Sequence, residues 1–303
     1  MPPYHTPVLV DEIAGLARGS RRAVDCTVGG GGHALHLVRE GTRLLAIDRD
    51  PAALAHAQRR LGPHAATWLN MSFADPRALS AIARFQPDFV LLDLGVSGHQ
   101  LDTDSRGFSF RPGAPLDMRM TPGDGPSAAD LLRTLDEEQL SRILRLFGDE
   151  PRARRLAATI VRRRQRSDFT TSDDLVNAIR AALGPRSGPS DFARLFQAVR
   201  IAVNEELEAL ETALPSFLES LVPDGVMVVV SYHSGEDRRV KHMFREWARA
   251  CVCPAGMPVC QCRGRPLGRL CPRRPLRPSH EEVAANPRAR SAMLRGFCKS
   301  DEG

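Results

Sequence analysis

Over its first hundred residues the chain alternates short apolar runs with segments of helical period, and this limits what it can fold into. Residues 22–27, 43–48 (RLLAID), 65–69 and 89–94 (FVLLDL) read as strands, the third the weakest. Residues 32–39, 51–61 and 76–85 read as helices between them, the second with proline at its first turn. A run as apolar as FVLLDL belongs in a sheet covered on both faces. The β-α-β-α order therefore predicts an α/β fold with a parallel sheet between two layers of helices.

After Asp102 the alternation stops. A Gly/Pro-rich loop (GFSFRPGAPLDMRMTPGDGP) leads into helical patterns at 136–147, 152–164, 172–183 and from Asp191 onward. Thr171-x-x-Asp174 resembles a capping box at the third of these. Strand character returns at 225–232 (GVMVVVSY), between helices expected at 205–221 and 235–250, and residues 292–297 suit an edge strand. The expected organisation is a sheet domain in two parts, 1–104 and 205–303, interrupted by an all-helical domain at 105–204. The second part carries a tail segment rich in Cys, Arg and Pro.

Charge and cysteine usage narrow the class. The net charge is +6, and the basic residues are arginine apart from Lys241 and Lys299. Such a balance favours a polyanionic partner. Arg162, Arg163, Arg164 and Arg166, with Arg263, Arg265, Arg269, Arg273, Arg274 and Arg277 in the tail, are the candidate phosphate contacts, against the plainer reading of solvated faces. No apolar run approaches the ~20 residues of a membrane span, and the opening MPPYHTPVLVDE lacks a signal-peptide pattern. The expected location is the cytoplasm, without membrane association. Seven cysteines do not resemble a disulfide framework. Cys251, Cys253, Cys260 and Cys262 read as reduced, loop-bound residues, with a zinc site as the weaker alternative because Cys-x-Cys pairs are less diagnostic than Cys-x-x-Cys knuckles. No catalytic metal is expected.

The first strand runs into a glycine loop, VDCTVGGGGHA, where open α/β sheets bind ligands. Gly29-x-Gly31-x-x-Ala34 satisfies the dinucleotide template, and Asp48, closing the second strand, is the expected partner of ribose hydroxyls. No Gly-Lys-Ser/Thr follows, so a P-loop is excluded. NAD and S-adenosylmethionine both remain. Asp25, just before the turn, favours the second: a carboxylate there repels a pyrophosphate but suits the cationic amino-acid end of a methyl donor.

Asp93 ends the fourth strand, at the edge where reacting groups gather in this architecture. A carboxylate there can accept a hydrogen bond from an amino group about to be methylated. The fifth strand ends in Ser-Tyr-His-Ser, and Ser234-x-x-Asp237 suits a helix start with His233 free to meet a base. In RLFQAVRIAVNEELEAL, Phe196, Val199, Val203, Leu207 and Leu210 form one apolar stripe, with Gln197, Arg200 and Asn204 beside it.

Several blocks, in order, resemble one family. They are His5-Thr6-Pro7-Val8-Leu9, Asp25-x-Thr27 with Gly31-Gly32-His33, Ala46-Ile47-Asp48-Arg49-Asp50-Pro51, and Leu92-Asp93-Leu94-Gly95-Val96-Ser97. Gln100-Leu101-Asp102, Arg106-Gly107-Phe108-Ser109-Phe110, Pro115-Leu116-Asp117-Met118-Arg119-Met120 and Phe196-Gln197-Ala198-Val199-Arg200 with Asn204 follow. His233-Ser234-x-Glu236-Asp237-Arg238 and Asn286-Pro287-Arg288-Ala289-Arg290-Ser291 complete the set. The chain thus resembles the bacterial small-subunit ribosomal RNA cytosine-N4 methyltransferases of the MraW/RsmH type. It departs from their pattern at Val28, Gly30, Gly98-His99, Tyr232 (where the family has Phe) and Gly235.

That resemblance implies a class I (Rossmann-like) S-adenosylmethionine-dependent methyltransferase fold with an inserted helical domain. It also implies methyl transfer to N4 of a cytosine in the decoding region, on ribosomal RNA within the assembled small subunit. The cofactor contacts it carries over are Gly31, Gly32, His33, Asp48, Phe73, Asp93 and Gln100, to which the charge argument adds Asp25. The catalytic candidates are Asp93 as acceptor or orienter, Ser97 beside the base, and Asp117, Asn204 and His233 as further polar groups. Two other classes stay open at this point: an NAD-dependent oxidoreductase, and a non-catalytic RNA-binding ribosome-assembly factor. The oligomeric state, monomer or homodimer, is not legible in the sequence.

Overall fold

The computed structural model describes residues 6–38, 41–62, 66–254, 257 and 259–301. His5, Arg39 and Ala65, which the sequence reading used, lie outside the described residues. The chain divides into two compact units, residues 1–95 with 207–303 and residues 96–206. The first junction falls before the one expected after residue 104, because Val96 and Leu101 already pack against the apolar core of the helical unit.

The first unit is built on seven strands: β1 (Arg22–Asp25), β2 (Arg43–Asp48), β3 (Ala66–Asn70), β4 (Phe89–Asp93), β5 (Val226–Ser231), β6 (Gly268–Leu270) and β7 (Met293–Lys299). Their order across the sheet is β3-β2-β1-β4-β5-β7-β6. β1 to β5 are parallel, and β7 runs antiparallel to both β5 and β6. This is the expected class I methyltransferase arrangement. Alternate residues of the central strands enter different cores: Val24, Leu45, Val90 and Leu92 join Ile82 and Phe217, whereas Ala23, Leu44, Phe89 and Leu91 join Ile13 and Leu61. Burial on both faces explains why β4 reads as an unbroken apolar run.

The order reverses between β1 and β4, so the segments leaving these strands diverge and open a crevice at their carboxyl ends. Asp25, Asp48 and Asp93 are the last residues of β1, β2 and β4. The helices after β2 and β3, Pro51–Leu61 and Pro76–Phe85, start with proline behind an aspartate cap. Asp50 Oδ1 accepts from Ala52 N at 3.0 Å and Asp75 Oδ1 from Arg77 N at 2.8 Å.

The tail departs from expectation. β7 is not an edge strand but lies between β5 and β6. The edge strand β6 and the helix His280–Ala285 leave no signal in the sequence, since elements of three and six residues are too short for a period to register. The helix expected at 32–39 is a single turn, Ala34–Leu37, because Gly32 and His33 still belong to the loop.

The helical unit contains Gly98–Asp102, Ala128–Thr134, Glu137–Leu146, Ala153–Arg164, Ser172–Leu183 and Pro189–Asn204 around Leu156, Ile160, Leu175, Ile179, Leu195 and Phe196. Asp174 Oδ2 accepts from Thr171 N at 2.8 Å, as the capping-box spacing implies. The apolar stripe from Arg194 to Leu210 is divided near the expected start of the 205–221 helix: Glu205, with φ 52°, ends Pro189–Asn204 in a left-handed cap. Phe196 and Val199 stay in the helical core, while Leu210 enters the sheet core from the next helix, Glu206–Ser220. Among the described residues no helix is long and apolar enough to cross a membrane.

Candidate active site

Asp25, His33, Asp48 and Asp93 come together in the sheet unit at the carboxyl ends of β1, β2 and β4, and backbone N–H groups hold Asp25 and Asp48. Asp48 Oδ2 accepts from Gly29 N and Oδ1 from Asp50 N, both at 2.8 Å. These bonds tie the glycine loop to the end of β2 and leave each carboxylate oxygen a second lone pair. Asp25 is 1% exposed, and its Oδ1 accepts a long bond from Thr27 N, 3.2 Å. Burial pushes the Asp25 carboxyl up to about 7, against the pull of His33 and the Thr27 N–H. Burial likewise raises Asp48 to about 6, with the N–H groups of Asp50 and Gly29 opposing. Two carboxyls this costly to ionise, beside a glycine turn, suit a cationic or hydroxyl-bearing ligand and disfavour a pyrophosphate.

Asp93 is held from three sides. Its N–H donates to Thr27 Oγ1 at 2.7 Å, Tyr232 Oη donates to Oδ1 at 2.9 Å, and His33 Nε2 lies 3.2 Å from Oδ2. His33 is buried, which works to lower its pKa, but Asp93 beside it, with Asp25 and Glu282, raises it on balance. Its Nδ1 has no hydrogen-bond partner among the described residues. Tyr232 is half-buried beside Asp93 and Glu236, and burial with those acids holds its phenol well above its usual pKa, so it serves as a donor. Sequence reasoning missed this role: Tyr232 stood out only as a departure from the family's Phe. Thr27 was visible in the Asp-x-Thr motif, but its bond to a residue 66 positions away was not.

Gly31 has φ +75°, and a Cβ there would meet Leu61 Cδ1 at 2.7 Å and Ala57 at 3.3 Å. The space its missing side chain leaves is therefore filled by the helix Pro51–Leu61. At Gly32 the same direction is occupied by Pro7. Both glycines let the loop close on its own scaffold, so a ligand would meet their backbone rather than a vacancy at Cβ. Phe73, after β3, is half-buried with its ring centroid 6.3 Å from that of Phe217.

His233 caps the helix Ser234–Trp247. Its Nδ1 accepts from Glu236 N at 3.4 Å, and Glu236 Oε2 accepts from Tyr232 N at 2.9 Å. The helix thus begins one residue earlier than the Ser234-x-x-Asp237 pattern implied, and Asp237 instead pairs with Arg295 at 2.7 Å.

The remaining candidates belong to the helical unit. Ser97 and Gln100 form a capping box on Gly98–Asp102: Ser97 Oγ accepts from Gln100 N at 3.2 Å and Gln100 Oε1 from Ser97 N at 3.0 Å. Asp117 accepts a two-pronged bond from Arg119, Oδ2 from Nη2 at 2.7 Å and Oδ1 from Nε at 2.9 Å. Burial raises the Asp117 carboxyl, but the Arg119 bonds outweigh it and hold the pKa low. Asn204 is 4% exposed and spans the loop before Ala128–Thr134: Oδ1 accepts from Met120 N and Nδ2 donates to Met118 O, both at 2.8 Å. Met118 has φ 60°, so Asn204 holds a left-handed backbone position in place. Gly107 supports the same loop, since a Cβ would lie 2.2 Å from Pro115 O.

Two candidate phosphate contacts are spent on structure. Arg164 Nη1 donates to Leu132 O and Leu135 O, and Arg263 Nη2 to Glu246 O and Arg249 O. Arg265, Arg269, Arg273, Arg274 and Arg277 are exposed.

The chain is similar along nearly its whole length to curated proteins called Ribosomal RNA small subunit methyltransferase H. The one from Gemmatimonas aurantiaca is 53% identical over 97% of this chain and 95% of its own length. Those from Heliobacterium modesticaldum and Rubrobacter xylanophilus are 44% and 45% identical, each over 96% of this chain and 97% and 94% of their own lengths. The family model described as the MraW methylase family matches residues 3–300. With a methyltransferase sheet order and an acidic crevice at its switch point, the chain belongs to the MraW methylase family.

Proposed function

We propose that the protein transfers a methyl group from S-adenosylmethionine to the N4 amino group of a cytosine in the decoding region of small-subunit ribosomal RNA, on the assembled subunit, in the cytoplasm. The observation that carries this reading is the near-full-length identity of 53% to a relative named for small-subunit ribosomal RNA methylation. The acidic crevice supports it independently, because a ligand with a cationic amino-acid end and ribose hydroxyls suits Asp25 and Asp48 whereas NAD brings two phosphates. The net charge of +6 and the exposed tail arginines fit a polyanionic substrate.

S-adenosylmethionine supplies an electrophilic methyl on a sulfonium, so the chain's own work is alignment. In this reading Asp48 receives the ribose hydroxyls, Asp25 faces the ammonium, and the backbone of Gly31 and Gly32 lines the amino-acid end. Asp93 accepts an N–H of the exocyclic amine on the carboxylate that Tyr232 and His33 orient. The conjugated amine is a poor nucleophile, and holding its proton on a fixed carboxylate draws the nitrogen lone pair toward the methyl. His33 and Tyr232 keep Asp93 aimed.

Calorimetric titration tests the cofactor half: wild-type protein binds S-adenosylmethionine and not NADH, and Asp48→Ala loses that binding. Binding of NADH, or equal affinity in Asp48→Ala, would overturn the assignment.

A further inference from the structure

The four clustered cysteines form the strongest unassigned constellation in the chain. They lie between the end of the helix Ser234–Trp247 and β6, and no step of the proposed methyl transfer uses them. We propose that Cys251, Cys253, Cys260 and Cys262 bind one zinc ion as a closed, four-thiolate structural site.

The geometry carries the inference. All four Sγ atoms lie within 4.8 Å of one another. Cys260 Sγ is 3.5 Å from Cys262, 3.8 Å from Cys251 and 3.9 Å from Cys253, and Cys262 is 3.9 Å from Cys251. Four thiolates about 2.3 Å from a tetrahedral ion stand about 3.8 Å apart, the spacing these sulfurs already show. A disulfide pairing predicts another pattern: two sulfurs at about 2 Å and the rest apart. Here all seven cysteines are free, and Cys260 approaches three others at nearly equal distance.

Two backbone donors point at the same sulfurs. Val252 N donates to Cys262 Sγ at 3.3 Å and Gln261 N to Cys253 Sγ at 3.4 Å. Such bonds stabilise coordinated thiolates and orient them on the metal. The loop also needs a staple. It has no helix or strand among its described residues, none of them is buried, and its apolar Met257 and Val259 are 38% and 66% exposed. A metal supplies the cohesion that a buried core supplies elsewhere.

The flanks are anchored so that the clip matters. Arg263 Nη2 donates to Glu246 O at 2.5 Å and to Arg249 O at 3.1 Å, and Leu267 N donates to Trp247 O at 2.8 Å. The chain leaves and re-enters the sheet unit at one helix end, and the metal closes the excursion between.

Elemental analysis of the purified chain tests the site. One zinc per chain is expected, falling at least tenfold in Cys253→Ser and Cys260→Ser and unchanged in the control Cys271→Ser. Metal-free protein given Co(II) is expected to show the thiolate charge-transfer and tetrahedral ligand-field bands, absent in Cys260→Ser. The wild-type half of this readout needs no variant to fold. Zinc content independent of these cysteines, iron in place of zinc, four rapidly reacting thiols in metal-replete protein, or no thiolate band with Co(II) would each overturn the assignment.

Discussion

Replacing Asp25 by asparagine removes a carboxyl that the fold makes costly to ionise, and the pH dependence of the effect can be worked out. The side chain is 1% exposed, and its pKa rises from 3.8 to about 7, chiefly through burial. Because the folded state holds this proton more tightly than the unfolded one, the group's contribution to stability falls as pH rises from about 4 to about 7. Between pH 5 and pH 8 the linked loss is about 2.5 kcal/mol, nearly all of it below pH 7. Asparagine keeps an oxygen for the Thr27 N–H, 3.2 Å away, but does not titrate. Asp25→Asn is therefore more stable relative to wild type at pH 8 than at pH 5, by about 2–3 kcal/mol. Urea unfolding of both proteins at the two pH values measures the difference directly. The same variant binds the methyl donor more weakly at pH 8, since the carboxylate facing its ammonium is gone. An equal stability difference at both pH values would refute the reasoning, for it would mean that Asp25 ionises in the fold as easily as in water.

Three further outcomes follow from the geometry. Gly31→Ala, at φ +75° with Leu61 Cδ1 2.7 Å from the new Cβ, loses about 1–3 kcal/mol by thermal denaturation; unchanged stability would show that the loop has room there. Asn204→Ala leaves Met120 N without its side-chain acceptor, costs about 1–3 kcal/mol, and speeds amide exchange at residues 118–120, whereas exchange at wild-type rates would remove Asn204 as the clamp. Tyr232→Phe removes the phenol bond to Asp93 Oδ1 and lowers kcat about threefold to thirtyfold with little change in donor affinity; a fall in affinity alone would assign Tyr232 to the cofactor instead.

Much of the frame was legible because its signals are local. Apolar runs at 22–27, 43–48 and 89–94 could be buried only in a two-sided sheet, and the aspartates ending them sit where β1, β2 and β4 open the crevice. What stayed hidden depends on contacts between distant segments or on elements too short to show a period. β6 has three residues, so residues 292–297 read as an edge that β6 in fact provides. At the site, composition explains why the loop is rich in glycine, but only the packing of Gly31 on Leu61 and Ala57 shows which way those glycines face. Asn204, a catalytic candidate in the sequence, is tied by contacts across 84 and 86 residues to Met120 and Met118, which only the folded chain reveals.

The central claim is that this acidic crevice serves methyl transfer to a ribosomal cytosine. Its most direct test is mass spectrometry of nucleosides from small-subunit ribosomal RNA of a strain lacking the gene. N4-methylated cytidine is expected to be lost, restored by wild-type protein and not restored by Asp93→Ala. An unchanged level of that nucleoside in the deletion strain would contradict it.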